Sequence, residues 1–215
     1  MNALENKIWY ASYGSNMQME RFLCYIRGGQ PKGRQDLYPG CRDKTLPTFN
    51  EELYITSRLY FARESKGWNN GGVAFLSTSF DDAARTLARM YLITQGQLID
   101  IIKQEIKFKG ELTIDFDECM RLGSWNVKDP SWYGNLIYLE KHNQSPVYTF
   151  TSSRDFSGQI NRPDDSYLKT IIEGIKETFP VFNEFDICDY LLPLEGIHGN
   201  FSREALISLI TQEHI

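Results

Sequence analysis

Along this chain the apolar positions switch between runs, alternation and helical spacing, and the switches mark out the elements. Ile8-Trp9-Tyr10-Ala11-Ser12-Tyr13 is an apolar and aromatic run that stops at Gly14-Ser15-Asn16, after which Met19, Phe22, Leu23 and Ile26 recur at i, i+3, i+4 and i+7. That order predicts a strand, a tight turn and a helix, and Gly28-Gly29 supplies the stop, because glycine tolerates the left-handed conformation that ends helices. The same order returns at residues 87–93, an apolar strand followed by Thr94-Gln95-Gly96-Gln97. The Thr-x-x-Gln spacing is that of a capping box and predicts a helix from Gln95, with Leu98, Ile101 and Ile102 as its buried stripe.

Other stretches complete the outline. Residues 59–62 and 73–76 are short apolar runs of strand type, joined by the Gly- and Asn-rich segment 66–72, and predict a hairpin with Trp68 covering its end. Residues 133–139 and 146–151 predict two more strands connected through 140–144. Pro163-Asp164-Asp165 opens the most periodic helix, with Leu168, Ile171, Ile172, Ile175 and Phe179 on one face, and two shorter helices follow around 185–191 and 203–213. Residues 28–50 predict a long loop, whose Lys32, Arg34, Arg42 and Lys44 either flank an anionic ligand or are simply solvated. Around residues 106–122 no period prevails.

Composition narrows the class of function. With 215 residues, 41% hydrophobic and 13% aromatic, the chain is expected to form one domain over 1–215, with 181–215 as helical packing elements. A net charge of -5 argues against nucleic acid or an anionic membrane as partner and favours a small ligand. Cys24, Cys41, Cys119 and Cys188 are scattered, as are His142, His198 and His214, so no disulfide framework and no metal site is expected. No apolar run has the length of a membrane span, and a soluble, cytoplasmic protein is expected.

Two places carry candidate chemistry. At residues 13–17 a strand becomes a helix, and the N–H groups at such a junction, together with the helix dipole, suit an anion. Gly14 allows close approach or positive φ, and Ser15 or Asn16 can cap the helix or donate to a ligand; the same letters also make an ordinary capped turn. The second place is Glu105, seven residues after Leu98 and four after Ile101, on the inward face at the end of a helix. Burial and the negative pole of the helix would both raise its pKa, as a general base requires, unless the helix frays and lets it reach solvent or Lys103 or Lys107.

Tyr13-Gly14-Ser15-Asn16-Met17, close to the N-terminus, resembles the Tyr-Gly-Ser-Asn-Leu signature of the γ-glutamylcyclotransferase-like family, with Met17 in place of Leu. Residues 90–105 are similar to that family's strand, turn and helix ending in its catalytic glutamate, although Ile106 stands where Gly is frequent. Pro163, Tyr167, Ile171 and Gly174 are similar to its late helix. The resemblance implies an α+β fold, a small mixed sheet curled into a barrel with helices around it. It implies cyclisation of a γ-glutamyl amide to 5-oxoproline with release of the amine and no cofactor. In that scheme Glu105 is the acid/base, and Tyr13, Gly14, Ser15, Asn16 and Met17 bind the γ-glutamyl group across a cavity. An ordinary glutamate near pKa ~4.3 would take a proton from an amine near ~8 uphill by roughly 5 kcal/mol, so the surroundings of Glu105 matter. A protein that binds an amino-acid-like ligand without turnover is the alternative, and Ser15 as a nucleophile lacks a Gly-x-Ser-x-Gly elbow and a partner His.

Overall fold

The computed structural model describes residues 7–212. Contacts cluster into two compact units, each assembled from separated stretches: residues up to Ser12 with 20–53 and 89–154, and residues 13–19 with 54–88 and 155 onward.

The first unit is built on a mixed sheet. β1 (Lys7–Ser12) is buried from Ile8 to Ala11, which explains its unbroken apolar run: a strand covered on both faces has no polar alternation. It pairs antiparallel with β5 (Thr86–Thr94), Tyr10 opposite Tyr91, and parallel with β8 (Ser145–Thr151), Tyr10 opposite Tyr148. The full order is β2 (Asn50–Ile55), β5, β1, β8, β7 (Asn135–His142), β6 (Ser124–Asn126). In a flat sheet β2 and β7 would stand roughly 19 Å apart, four spacings of ~4.8 Å. His142 Nε2 on β7 nevertheless lies 2.8 Å from Glu51 Oε2 on β2, beside the edge of the Trp9 ring. The sheet therefore curls, and it does so as an open sheet with β2 and β6 at its edges.

Helices α1 (Met19–Arg27) and α2 (Gln95–Glu105) follow β1 and β5 as their spacing predicts. Phe22 and Ile26 are fully buried, Phe22 stacking on Tyr91 at 3.8 Å, and Gly28 ends α1 with φ 83°. The capping box of α2 is complete: Thr94 Oγ1 accepts from the Gln97 N–H, and the Gln97 side chain accepts from the Thr94 N–H. Within 106–122 lies α3 (Phe116–Leu122), capped by Asp115 and ended by Gly123.

In the second unit β3 (Ser57–Ser65) and β4 (Gly71–Phe80) form the expected antiparallel hairpin. α4 (Asp165–Thr178) buries Leu168, Ile171, Ile172 and Ile175, with Asp164 as its N-cap. α5 (Glu184–Leu191) and α6 (Arg203–Thr211) complete it; Glu213, the end of the last predicted helix, and His214 lie outside the described residues. All four cysteines are buried free thiols, and burial pushes Cys41 and Cys119 up to about 12. Among the described residues no helix is long and apolar enough to cross a membrane, and no group of three His, Cys, Asp or Glu is arranged to hold a metal ion.

Candidate functional site

Glu105 is the last residue of α2 and is half-buried. The stripe of Leu98, Ile101 and Ile102 runs down to it, but where the helix ends the apolar core gives way to a cavity of about 580 Å³. That size is ordinary for a small-molecule site. Ile106, where the family resemblance leads one to look for Gly, has φ -87° and ψ 4°, a conformation open to any residue, so the substitution does not strain the backbone after the acid.

Opposite the helix end stand two tyrosines that no sequence pattern singled out. Tyr25 comes from α1 and Tyr38 from the 28–50 loop, their rings 4.2 Å apart. Tyr25 donates its hydroxyl to that of Tyr38 at 3.1 Å, and Arg21, buried one helical turn before Tyr25, donates through Nη2 to the Tyr38 oxygen at 3.2 Å. Burial pushes the Tyr25 hydroxyl well above its ordinary range, and the negative charge of Glu105 adds to that. Tyr38 is raised for the same first reason, with Arg21 pulling it down and Glu105 pushing it up. Both phenols therefore stay protonated at neutral pH and serve as hydrogen-bond donors beside the carboxylate.

The loop that delivers Tyr38 is fixed along its length. Its start and end are pressed together: a Cβ on Gly28 would lie 2.9 Å from Pro39 O, and one on Gly40 would lie 2.5 Å from Gly28 N. Both glycines have φ near +82°, and Gly29 and Tyr38 exchange two backbone hydrogen bonds between them. Further on, Arg42 donates through its backbone N–H and Nε to the carboxylate of Asp100, which is 7% exposed on α2. Gln97, at the start of α2, donates to the carbonyls of Asp43 and Thr45. Gln104 donates to Tyr25 O, tying the end of α2 to α1.

The turn at residues 13–17 belongs to the second unit. It is a single 3-10 turn, Ser15–Met17, in which Tyr13, Asn16 and Met17 are buried and Gly14 and Ser15 are half-exposed. Ser15 and Asn16 lie inside this turn and not at the N-cap of α1, which begins later, at Met19. Gly14 has φ -117°, so its glycine serves close approach and not a left-handed bend: a Cβ there would sit 3.3 Å from the Tyr167 hydroxyl. That hydroxyl accepts from the Ala74 N–H at 3.1 Å, and the Tyr167 ring packs on Trp68. The N–H groups of Met17 and Gln18 close the turn itself, and that of Met19 donates to the Glu177 carboxylate at 2.9 Å. The anion that the helix start attracts is thus, at Met19, one supplied by α4.

No family profile matches the chain. A solved structure of a gamma-glutamyl cyclotransferase superposes with a TM-score of 0.50 at 16% identity, covering 94% of this chain and 98% of that one. The chain has the γ-glutamyl cyclotransferase fold. An uncharacterized protein from Homo sapiens superposes equally, TM-score 0.50 at 16% identity over 97% of this chain and all of the other. In sequence the chain is 35% identical over 189 residues to Histone deacetylase 5 of Arabidopsis thaliana, which takes in 79% of this chain but 28% of that protein.

Proposed function

We propose that this protein converts a γ-glutamyl amide to 5-oxoproline and a free amine, with Glu105 as the general acid/base. The observation that carries this reading is the Glu105 carboxylate at a cavity that also holds two protonated phenols, on the fold of a gamma-glutamyl cyclotransferase. The substrate's α-amino nitrogen attacks its own side-chain carbonyl carbon, a C–N bond forms, and the C–N bond to the amine breaks. Glu105 takes the proton from the attacking nitrogen and returns it to the leaving one. Nucleophile and electrophile share one molecule, so the protein's task is to hold them in the reactive geometry. Tyr38, whose oxygen accepts from Tyr25 and Arg21, is chemically suited to donate its own proton to the oxygen that gains charge. The γ-glutamyl end is assigned to Tyr13, Gly14, Ser15, Asn16 and Met17 on the wording of that segment and its half-exposed Gly14 and Ser15.

The plant relative's name supplies a second amide-cleaving reading, deacetylation, which belongs to a protein of which this chain matches about a quarter. One experiment separates them. The protein is incubated with a panel of γ-glutamyl amides and, in parallel, with an acetyl-lysine peptide, and 5-oxoproline and acetate are measured. Release of 5-oxoproline, falling at least about a hundredfold in Glu105→Gln, is expected. Acetate without 5-oxoproline would replace cyclisation by deacetylation. Binding of γ-glutamyl amides without any product would favour a non-catalytic binding protein.

A further inference from the structure

A phenol oxygen carries one proton and two lone pairs, and at Tyr38 both lone pairs are in use. The Tyr25 hydroxyl reaches that oxygen at 3.1 Å and Arg21 Nη2 reaches it at 3.2 Å, so a second phenol and a cation converge on one atom. Burial decides which way the bond between the phenols runs. Tyr25 is 2% exposed, and if Tyr38 donated to it the Tyr25 proton would be buried without an acceptor, a costly arrangement. Tyr38 is half-buried at the cavity, where a ligand or water can take its proton instead. Among the described residues no group accepts from the Tyr38 hydroxyl. Arg21 and Tyr25, four residues apart, share one face of α1, and the loop that brings Tyr38 to them is clamped at Gly28 and Gly40. The three groups are therefore in place before a ligand arrives.

We infer that Arg21 and Tyr25 are positioning residues that act through Tyr38: by filling both acceptor sites of its oxygen they turn its proton toward a ligand in the cavity, and the charge of Arg21 strengthens that donation. A cationic donor draws density from the Tyr38 oxygen and polarises its O–H, and hydrogen bonds in such a chain strengthen one another. The charges around Tyr38 pull in both directions. Arg21 eases the release of its proton, whereas Glu105 and Asp36 resist it, Asp36 while engaged by Arg34 at 3.2 Å. The consequence for turnover rests on the cyclisation reading: the donation strengthens as charge builds on the carbonyl oxygen, so losing Tyr38 or its support shows in kcat and little in KM. The direction of the Tyr38 proton does not rest on that reading.

The test has one arm that needs no substrate and one that does. In the first, the protein is labelled with 3-fluorotyrosine, the Tyr38 signal is identified by its disappearance in Tyr38→Phe, and its ionisation is followed by fluorine NMR. Arg21→Gln and Tyr25→Phe should each move that ionisation to higher pH, because each weakens the support of the oxygen that gains charge, and Glu105→Gln should move it lower. In the second, kcat for 5-oxoproline release is measured on the parent, Arg21→Gln, Tyr38→Phe and the double variant. Tyr38→Phe should lose on the order of a hundredfold, Arg21→Gln on the order of tenfold with KM little changed, and the double variant no more than Tyr38→Phe alone. An ionisation that Arg21→Gln and Tyr25→Phe leave in place, a Tyr38→Phe protein with the parental kcat, or losses that multiply in the double variant would overturn the inference. Should Arg21→Gln not fold, Tyr25→Phe, alone and combined with Tyr38→Phe, carries both arms. If the ionisation shifts as expected while no γ-glutamyl amide yields 5-oxoproline, the inference stands and the cyclisation reading fails.

Discussion

Gly174 sits in the middle of α4 with its α-carbon against the 3-10 turn, and replacing it by alanine sets two effects against each other. An added Cβ would lie 2.5 Å from Met17 Cβ, 2.7 Å from Met17 C and 2.7 Å from Gln18 N. Ordinary carbon contacts lie at about 3.5–4.0 Å, so roughly 1 Å must be gained. The atoms in the way are backbone and a Cβ, which cannot step aside by changing rotamer, and Met17 is fully buried. Overpacking of this kind costs about 1–3 kcal/mol, while exchanging glycine for alanine inside a helix returns about 1 kcal/mol. With rigid neighbours the steric effect takes the upper end, and Gly174→Ala should lose about 2 kcal/mol, a fall in Tm of roughly 4–8 °C. Gly96 in α2 is the internal control: its nearest neighbour would be Thr94 Oγ1 at 3.8 Å, so Gly96→Ala should be neutral or gain up to about 1 kcal/mol. Denaturant unfolding of the two variants, compared by midpoint at constant slope, decides the matter. A Gly174→Ala protein as stable as the parent refutes the close packing of α4 on the turn; a similar loss in Gly96→Ala would show that the steric explanation is not specific.

Two further outcomes are expected. Gly14→Val should reduce 5-oxoproline release far more than Ser15→Ala, because a branched side chain meets the Tyr167 hydroxyl and Ala74, whereas the second change removes one hydroxyl; steady-state kinetics showing the reverse ranking would favour Ser15 as a reacting group. Asp164, the N-cap of α4, is raised by burial but held below its ordinary value by hydrogen bonds from Ser166 and Asn69, which prevail. A lowered carboxyl contributes stability above its unfolded pKa of about 4 and loses it as pH falls through the lower folded value. Asp164→Asn keeps a capping oxygen but cannot titrate, so its stability should decline less between about pH 5 and 2 than that of the parent; parallel pH profiles would remove this carboxylate from the acid response.

How far the sequence speaks depends on whether an element declares itself locally. α1, α2, α4, the β3–β4 hairpin and the capping box at Thr94 are each written in periodicity or spacing, and the structure has them. β2 is an edge strand whose Asn50-Glu51-Glu52 start carries no apolar run, and β6 is three residues long, so neither offers a pattern to read. At the Glu105 cavity the acid was legible from the helical stripe, and Arg21 with Tyr25, four residues apart on one face of α1, were legible in principle. Tyr38 was not, because a loop residue is placed by contacts distant in sequence: the glycine pair at 28 and 40, and the hold of Gln97 and Asp100 on residues 42–45. The α1 start illustrates the same limit, since its N–H at Met19 is met by Glu177, 158 residues further along the chain.

The way Gly28 and Gly40 clasp has a consequence for how this protein can change. Residues 30–37 are strung between two anchored ends, and the last of them, Leu37, lines the cavity while 76% exposed. Closing a longer loop costs little, roughly 0.6 kcal/mol for each doubling of its length. Insertions and deletions there would lengthen or shorten the lip of the cavity while Tyr38 and Glu105 stay where they are. Such changes would alter the size of the cavity without rebuilding Tyr38 and Glu105 beside it.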